Sequence, residues 1–217
     1  MNIRIGNATF SVYEDNPHFV IINNWNSTDI IEVAIAVFTP AESAYGESHV
    51  IEHCIASDLS MIVGNLEVAA YVFHNITFLN FNIQKSNIYL LSNVMEKLFN
   101  PEFLVDENIY FRESHNVQSD SRGKRVGGIV FNEILEKSKN KKYILLRNIP
   151  KLLANDSEHK GISGGTVEGI LQLTYNKCKE YFYKYYSWNN VCISILGNFS
   201  ETDKENIAQL FKKYKKI

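Results

Sequence analysis

The chain has 217 residues, of which 45% are hydrophobic and 12% aromatic, so it is long and apolar enough to bury a full core. Lysine and arginine number 22 against 24 acidic residues, and this balance argues against nucleic acid or an anionic membrane as the main partner. Three widely spaced cysteines fit a reducing compartment better than a disulfide scaffold. With no signal-peptide pattern and no long apolar run, we expect a soluble, cytoplasmic protein with a single domain over residues 1–217.

The chain begins with strands. Segments rich in β-branched and aromatic residues lie at 10–13, 19–22 and 30–38, and turn-forming residues separate the first two. Residues 30–38 are apolar on both faces over much of their length, which predicts a central strand covered by a helix. A loop then leads into a predicted helix that contains residues 49–53.

Two further extended segments, 66–73 and 77–83, are joined by His74-Asn75 and predict a hairpin. A polar loop is expected over 118–125, and residues 161–165 are flexible by composition. Helices are predicted at 86–99, 106–117, 126–137, 141–153 with a break at Pro150, 176–186 and from 202, and a last strand at 191–196. This order predicts an α+β fold in which helices pack on one face of a mostly antiparallel sheet.

The sequence His-Val-Ile-Glu-His at residues 49–53 suggests a metal site. Residues four apart on a helix lie about 40° apart in projection, so His49 and His53 can point both imidazoles at one ion. Glu52 lies on the turn between them, where it can reach a water held by that ion. Chance produces this string in roughly one chain in eighty of this composition, so the motif needs support from its context.

A catalytic zinc needs a third protein ligand, and Glu133 is the candidate. It stands in the predicted helix 126–137 between apolar residues, where an inward-facing acid would need a charge partner. The alternative is a glutamate on the polar surface of that helix. His74 and His115 are further nitrogen donors, which a loop position and a polar helix face explain better.

The zinc segments resemble those of the M16 metallopeptidases, the family of insulin-degrading enzyme, pitrilysin and the mitochondrial processing peptidase. His49, Glu52 and His53 match the inverted zinc motif of that family, and residues 130–133 resemble the segment that carries its third ligand. Residues 69–77 resemble the strand that follows the motif in that family, and residues 182–190 with 195–198 resemble the end of its first domain.

The resemblance implies that His49, His53 and Glu133 bind Zn²⁺ and that Glu52 is the general base of a metalloendopeptidase. It also implies that an extended peptide is added as a strand to the edge segment that contains the substrate-binding residues Ala69, Ala70, Tyr71 and Val72. The family commonly has Asn-Ala and then Thr there, so a polar group near the substrate is missing from this chain.

Members of the family use two or four such domains, and the second half supplies an arginine and a tyrosine to the site. We therefore expect a second M16-like chain, in a heterodimer or a homodimer, and a peptide substrate that is short or unfolded. Processing of a small gene-encoded peptide is a role that fits this chemistry.

Two alternatives remain open. The first is a non-catalytic M16-like scaffold or partner subunit of a peptidase complex, which the altered strand 69–72 suggests. The second is a zinc lyase similar to the S-ribosylhomocysteine cleavage enzyme, which shares the motif and would need a cysteine as its third ligand, here Cys178 or Cys192.

Overall fold

The computed structural model describes residues 2–5, 8–13, 18–24, 29–64, 68–121, 123–153 and 162–214. The strands are β1 (Asn2–Ile5), β2 (Ala8–Tyr13), β3 (His18–Asn24), β4 (Ile30–Phe38), β5 (Ala69–Phe73), β6 (Ile76–Gln84), β7 (Asn116–Asp120), β8 (Gly123–Gly127) and β9 (Val191–Gly197). The helices are α1 (Glu47–Val63), α2 (Leu90–Phe99), α3 (Glu107–Glu113), α4 (Ile129–Lys137), α5 (Lys141–Leu153), α6 (Val167–Gln172), α7 (Tyr175–Tyr185) and α8 (Glu201–Tyr214).

Seven strands form one sheet in the order β1-β2-β3-β9-β4-β6-β5. Its neighbouring strands run antiparallel except for β3 and β9, which are parallel, so the predicted mostly antiparallel α+β sheet is confirmed. β7 and β8 form a separate hairpin. β5 is the last strand of the large sheet, so its outer edge has no neighbouring strand in the described part of the chain.

The core lies between one face of this sheet and the helices. Every second residue of β4 is buried on that face: Ile31, Val33, Ile35 and Val37. On the opposite face of β4, Phe38 is half exposed, and the predicted central position of the strand is confirmed by its place between β9 and β6. Helix α1 packs against β5, β6 and α2 through a row of fully buried apolar side chains, Val50, Ile51, Cys54, Ile55 and Leu59.

Three local predictions are corrected. Helix α3 ends at Glu113 instead of residue 117, and the predicted loop 118–125 belongs largely to the hairpin of β7 and β8. Helix α5 continues to Leu153, three residues past the proline at which a break was predicted. A proline removes one helical hydrogen bond and crowds the preceding turn, which disfavours a helix without forbidding it.

Parts of two predicted segments, Leu66-Glu67 of the first hairpin strand and Gly161 of the glycine-rich segment, lie outside the described residues. Within the ranges given above, no helix combines the length and the apolar composition needed to cross a bilayer.

Candidate metal centre

Helix α1 begins where the backbone of Gly46 takes a positive φ of 76°. A Cβ on this residue would lie 3.0 Å from the carbonyl oxygen of Gly164, so a glycine lets the turn around residues 162–165 pack against the start of the helix. His49 and His53 then follow on one face of α1, with ring centroids 4.9 Å apart. The helix itself therefore sets the spacing of the two imidazoles.

Glu133 reaches the same point from α4. Its Oε2 lies 3.4 Å from Nε2 of His49 and 3.3 Å from Nε2 of His53. One donor atom from each of the three residues lies within 4.8 Å of the others. Two imidazole nitrogens and one carboxylate oxygen are a donor set that fits Zn²⁺ and leaves a fourth position for water or substrate.

The position of Glu133 depends on the glycine that precedes α4. Gly128 has a φ of 127°, and a Cβ there would lie 2.3 Å from the carbonyl oxygen of Ser114. Gly128 therefore lets the start of α4 pass close to the end of α3, and the amide of Phe131 donates to the same Ser114 oxygen at 3.2 Å. The two helices that carry Glu113 and Glu133 are joined at this contact.

Glu52 is buried beside the donor set, and 5% of it is exposed. Its Oε2 lies 4.0 Å from Nε2 of His49. Burial raises the pKa of Glu52, although the neighbouring His53 and His49 act in the opposite direction. A carboxylate with a raised pKa is a stronger base than an ordinary glutamate, which suits a group that accepts a proton.

The charges of the centre are coupled. Contacts from His49 and His53 hold the pKa of Glu133 far below its usual range, and Lys137 pairs with Oε1 of the same carboxylate one turn further along α4. Burial alone would lower the pKa of His53, but its contacts with Glu113 and Glu133 outweigh burial and raise that pKa to about 9. A metal ion would therefore replace a proton shared within this group.

Two partners of the histidines were not predicted. Nδ1 of His49 lies 3.2 Å from the carbonyl oxygen of Gly164, and Nδ1 of His53 lies 3.4 Å from Oε2 of Glu113. No pattern in the sequence marks Gly164 as the partner of His49, because every residue has a backbone carbonyl oxygen. Glu113 stands in a segment predicted to be helical, and only its burial singles it out.

A cavity of about 480 Å³ opens over the donor set. Its wall includes the three candidate ligands, Glu52, residues of β5 and a group of side chains from α4, α5 and the turn at 162–164: Ile134, Lys137, Tyr143, Leu146 and Ile162. Of the predicted substrate-binding residues, Ala70, Tyr71 and Val72 line it, and Ala69 does not. Ala70 and Val72 are half-buried on the face of the sheet that carries the helices.

The other candidate donors stay apart from this group. His74 lines the cavity at the turn between β5 and β6, where its φ is 52°, and His115 follows the end of α3. Among the described residues, the group that could hold a metal contains no cysteine. Cys178 is buried in α7 and Cys192 lies on β9, so the lyase-type ligand set gains no support.

Comparison with known proteins places the fold. No family model matches the chain. It is 27% identical over 194 residues to an uncharacterized protein of Borreliella burgdorferi and 24% identical over 188 residues to Protein HypA of Clostridium perfringens. These matches cover 83% and 79% of the chain but only 19% of either relative, so the chain spans about a fifth of their length.

The solved structures similar to this one include M16-like peptidases. An M16-like peptidase of Alicyclobacillus acidocaldarius has a TM-score of 0.73 at 14% identity, with 99% of this chain aligned to 51% of that chain. The fold is shared by the first half of the periplasmic protease PqqL of Escherichia coli, with a TM-score of 0.61 at 16% identity and 97% of this chain aligned to 46% of that chain. It is also shared by a chain of complex III2 from Candida albicans, with a TM-score of 0.68 at 13% identity and 96% of this chain aligned to 46% of that chain. The chain therefore has the fold of half an M16-like protein.

Proposed function

We propose that the chain is a zinc-dependent endopeptidase subunit that cleaves short or unfolded peptides. The observation that carries this proposal is the convergence of His49, His53 and Glu133, with buried Glu52 beside them, below a cavity bounded by β5, whose outer edge has no strand beside it among the described residues. A structural ion site would not need the base or the open edge. The same fold in M16-like peptidases supports the assignment.

His49, His53 and Glu133 would hold the Zn²⁺ ion through Nε2, Nε2 and Oε2. Bound there, Zn²⁺ supplies a Lewis acid that polarises the scissile carbonyl and makes a water a better nucleophile at neutral pH. Glu52 would take the proton of the attacking water on its carboxylate and pass it to the nitrogen of the leaving amine. Its burial favours the protonated carboxyl that exists between these two transfers.

The substrate would bind as an added strand on the outer edge of β5, which pairs with no other strand in the described part of the chain. The turn His74-Asn75 has two residues, so Phe73 and Ile76 form the closing hydrogen-bonded pair of the hairpin. Because an antiparallel ladder alternates, the backbone N–H and C=O groups of Ala70 and Val72 then point away from β6. These four groups can pair with a peptide of almost any sequence, which suits a peptidase for unfolded chains.

A second M16-like domain would close the cavity over the peptide, contributed by a partner chain or by another copy of this one. Each solved neighbour aligns with this chain over about half of its own length, which supports a two-domain arrangement. The subunit would process a small gene-encoded peptide, because the cavity and the edge of β5 can accept an extended chain.

The experiment compares the wild-type protein with Glu52→Gln. Bound zinc is measured by elemental analysis, and cleavage is measured on an unfolded peptide with and without candidate partner chains. Glu52→Gln should keep the zinc and lose activity by about 100-fold to 10,000-fold. The matched control is Glu47→Gln, which changes another buried glutamate of α1 and should keep activity. A folded wild-type protein that binds no zinc would contradict the proposal.

Two observations favour a second candidate, a non-catalytic M16-like subunit of a peptidase complex. Ala69, Ala70 and Val72 offer no polar side chain to a substrate, and the fold also occurs in complex III2. For this candidate, Glu52→Gln would leave the activity of the assembled complex unchanged.

A further inference from the structure

Glu113 of α3 lies behind the metal centre, on the far side of His53. Only 4% of this residue is exposed, and its Oε2 is 3.4 Å from Nδ1 of His53. The other ring nitrogen, Nε2, is 3.3 Å from Oε2 of Glu133. The imidazole of His53 therefore has one carboxylate at each nitrogen, and only Glu133 lies on the cavity side.

Arg112 holds the second oxygen of Glu113. Its Nε and Nη2 both lie 2.9 Å from Oε1, and Nη2 also donates to the hydroxyl of Ser57 at 3.1 Å. Ser57 follows His53 by one turn of α1, so the guanidinium ties α3 to the helix that carries the ligand. With Oε1 occupied in this way, Oε2 is the oxygen left to face His53.

We infer that Glu113 is a positioning residue that makes His53 a ligand through Nε2. A proton on Nδ1 of His53 can be shared with Oε2 of Glu113, which leaves the lone pair of Nε2 directed at the metal position. The negative charge of Glu113 also makes the ring a stronger electron donor. This inference rests on the proposed function only in taking Zn²⁺ as the ion.

The two histidines differ in this respect. His49 has the neutral carbonyl oxygen of Gly164 at 3.2 Å from its Nδ1, whereas His53 has a buried carboxylate. A backbone carbonyl orients an imidazole without adding charge. Removal of the Glu113 carboxylate should therefore weaken the metal site through His53 and leave His49 unchanged.

A simpler reading is that Glu113 only neutralises Arg112. The two readings differ in their effect on zinc, because a carboxylate that serves Arg112 alone would not change metal affinity. The test measures the zinc dissociation constant by competition with a chelator for wild type, Glu113→Ala, Glu113→Gln and Glu107→Ala. The last variant removes an exposed carboxylate from the same helix.

Glu113→Ala should bind zinc about 10-fold to 100-fold more weakly than wild type, as for other carboxylates behind histidine ligands. Glu113→Gln should lie between the two, since its amide oxygen accepts a hydrogen bond from Nδ1 of His53 but carries no charge, and Glu107→Ala should match wild type. NMR of the imidazole nitrogens of the zinc-free proteins, recorded above the pKa of about 9 that its carboxylate contacts give His53, should show more of the neutral Nε2-protonated form of His53 in Glu113→Ala.

The inference is overturned if Glu113→Ala and Glu113→Gln both bind zinc within twofold of wild type. If Glu113→Ala does not fold, the isosteric Glu113→Gln decides the question by the same measurement. A wild-type protein without zinc affinity would instead contradict the proposed function, so the two failures can be told apart.

Discussion

Each candidate ligand has a second partner that restricts its orientation. His49 faces the carbonyl oxygen of Gly164, His53 faces Glu113, and Glu133 faces Lys137 with the oxygen that does not face the histidines. Such outer contacts determine which lone pair is available to a metal. A site of this kind is set by single atoms of residues that are far apart in the sequence.

Single residues also determine how the stability of the fold around α1 depends on pH. Asp58 of α1 is buried and accepts the amide N–H of Glu102 at 2.7 Å, and burial raises its pKa. An acid whose pKa is higher in the folded than in the unfolded state stabilises the fold only while it is protonated. Its contribution to the free energy of unfolding is therefore present at low pH and is lost as the pH rises through the folded-state pKa. We expect the stability of Asp58→Asn, relative to that of wild type, to increase as the pH rises from about 3.5 to 7.

The control for this prediction is Asp203→Asn, whose effect has the opposite sign. Burial alone would raise the pKa of Asp203, but bonds from Lys85 and Ser200 outweigh it and lower that pKa. A lowered pKa stabilises the fold at pH values above the ordinary pKa of Asp. The stability of Asp203→Asn, relative to that of wild type, should therefore decrease as the pH rises over the same range. Urea unfolding at a series of pH values measures both, and parallel curves for the two variants would contradict the prediction.

At the scale of elements, two features shape the site: the outer edge of β5 and the close approach of α3 to α4. Both are backbone features. The edge exposes backbone N–H and C=O groups that a peptide can pair with. The approach of α3 to α4 depends on Gly128, which no other residue can replace without strain.

The edge of β5 is tested by Val72→Pro. Proline removes the outward N–H of residue 72 while the ladder with β6 keeps its bonds through Tyr71 and Phe73. Loss of one hydrogen bond should weaken peptide binding by about 3-fold to 10-fold. Val72→Thr, which keeps both the N–H and the shape of the side chain, is the control. Equal cleavage of an unfolded peptide by all three proteins would exclude this edge as the binding strand.

The approach of α3 to α4 is tested by Gly128→Ala. The new methyl group would meet the Ser114 carbonyl oxygen at 2.3 Å in a backbone with a φ of 127°, so we expect a loss of roughly 2–4 kcal/mol in the free energy of unfolding. Gly123→Ala is the matched control, because its φ is 118° but nothing lies within 4 Å of the added methyl. Its loss should be about 1 kcal/mol.

Zinc affinity should fall in Gly128→Ala as well, since Glu133 lies on the helix that starts at this glycine. Denaturant unfolding and chelator competition measure the two effects. The prediction fails if the two alanine variants unfold at the same denaturant concentration.

For the whole molecule, the sheet is covered by helices on one face, and large apolar side chains remain exposed beside the cavity, Leu145 and Leu146 of α5 among them. The solved neighbours align over about half of their length. Both observations fit a second domain that closes over this one.

Two proposed sources of that domain, a second copy and a different chain, predict different kinetics. If a second copy supplies it, the specific peptidase activity of the purified chain should rise with its concentration in step with dimer formation. If a different chain supplies it, activity should stay low until that chain is added. Sedimentation velocity gives the assembly in the same samples. Full activity of a monomer at nanomolar concentration would exclude both.

The sequence by itself determined the features that depend on neighbouring residues. The helix period places His49 and His53 on one face with Glu52 between them, and the two-residue turn at 74–75 specifies the hairpin that contains the edge strand. Alternating and helical apolar patterns were enough for the α+β class and for the order of most elements. These signals are local, because four residues on a helix or two on a strand set the direction of a side chain.

The tertiary structure decided the rest, because contacts between residues distant in the chain leave no spacing to read. It brings Glu133 to the two histidines, puts buried Glu113 behind one of them and pairs β3 with β9 across about 170 residues. The hairpin of β7 and β8 escaped prediction because most of its residues are polar or exposed, so burial imposed no alternating pattern on them. Whether an acid lies on the surface or beside a metal centre is decided by packing.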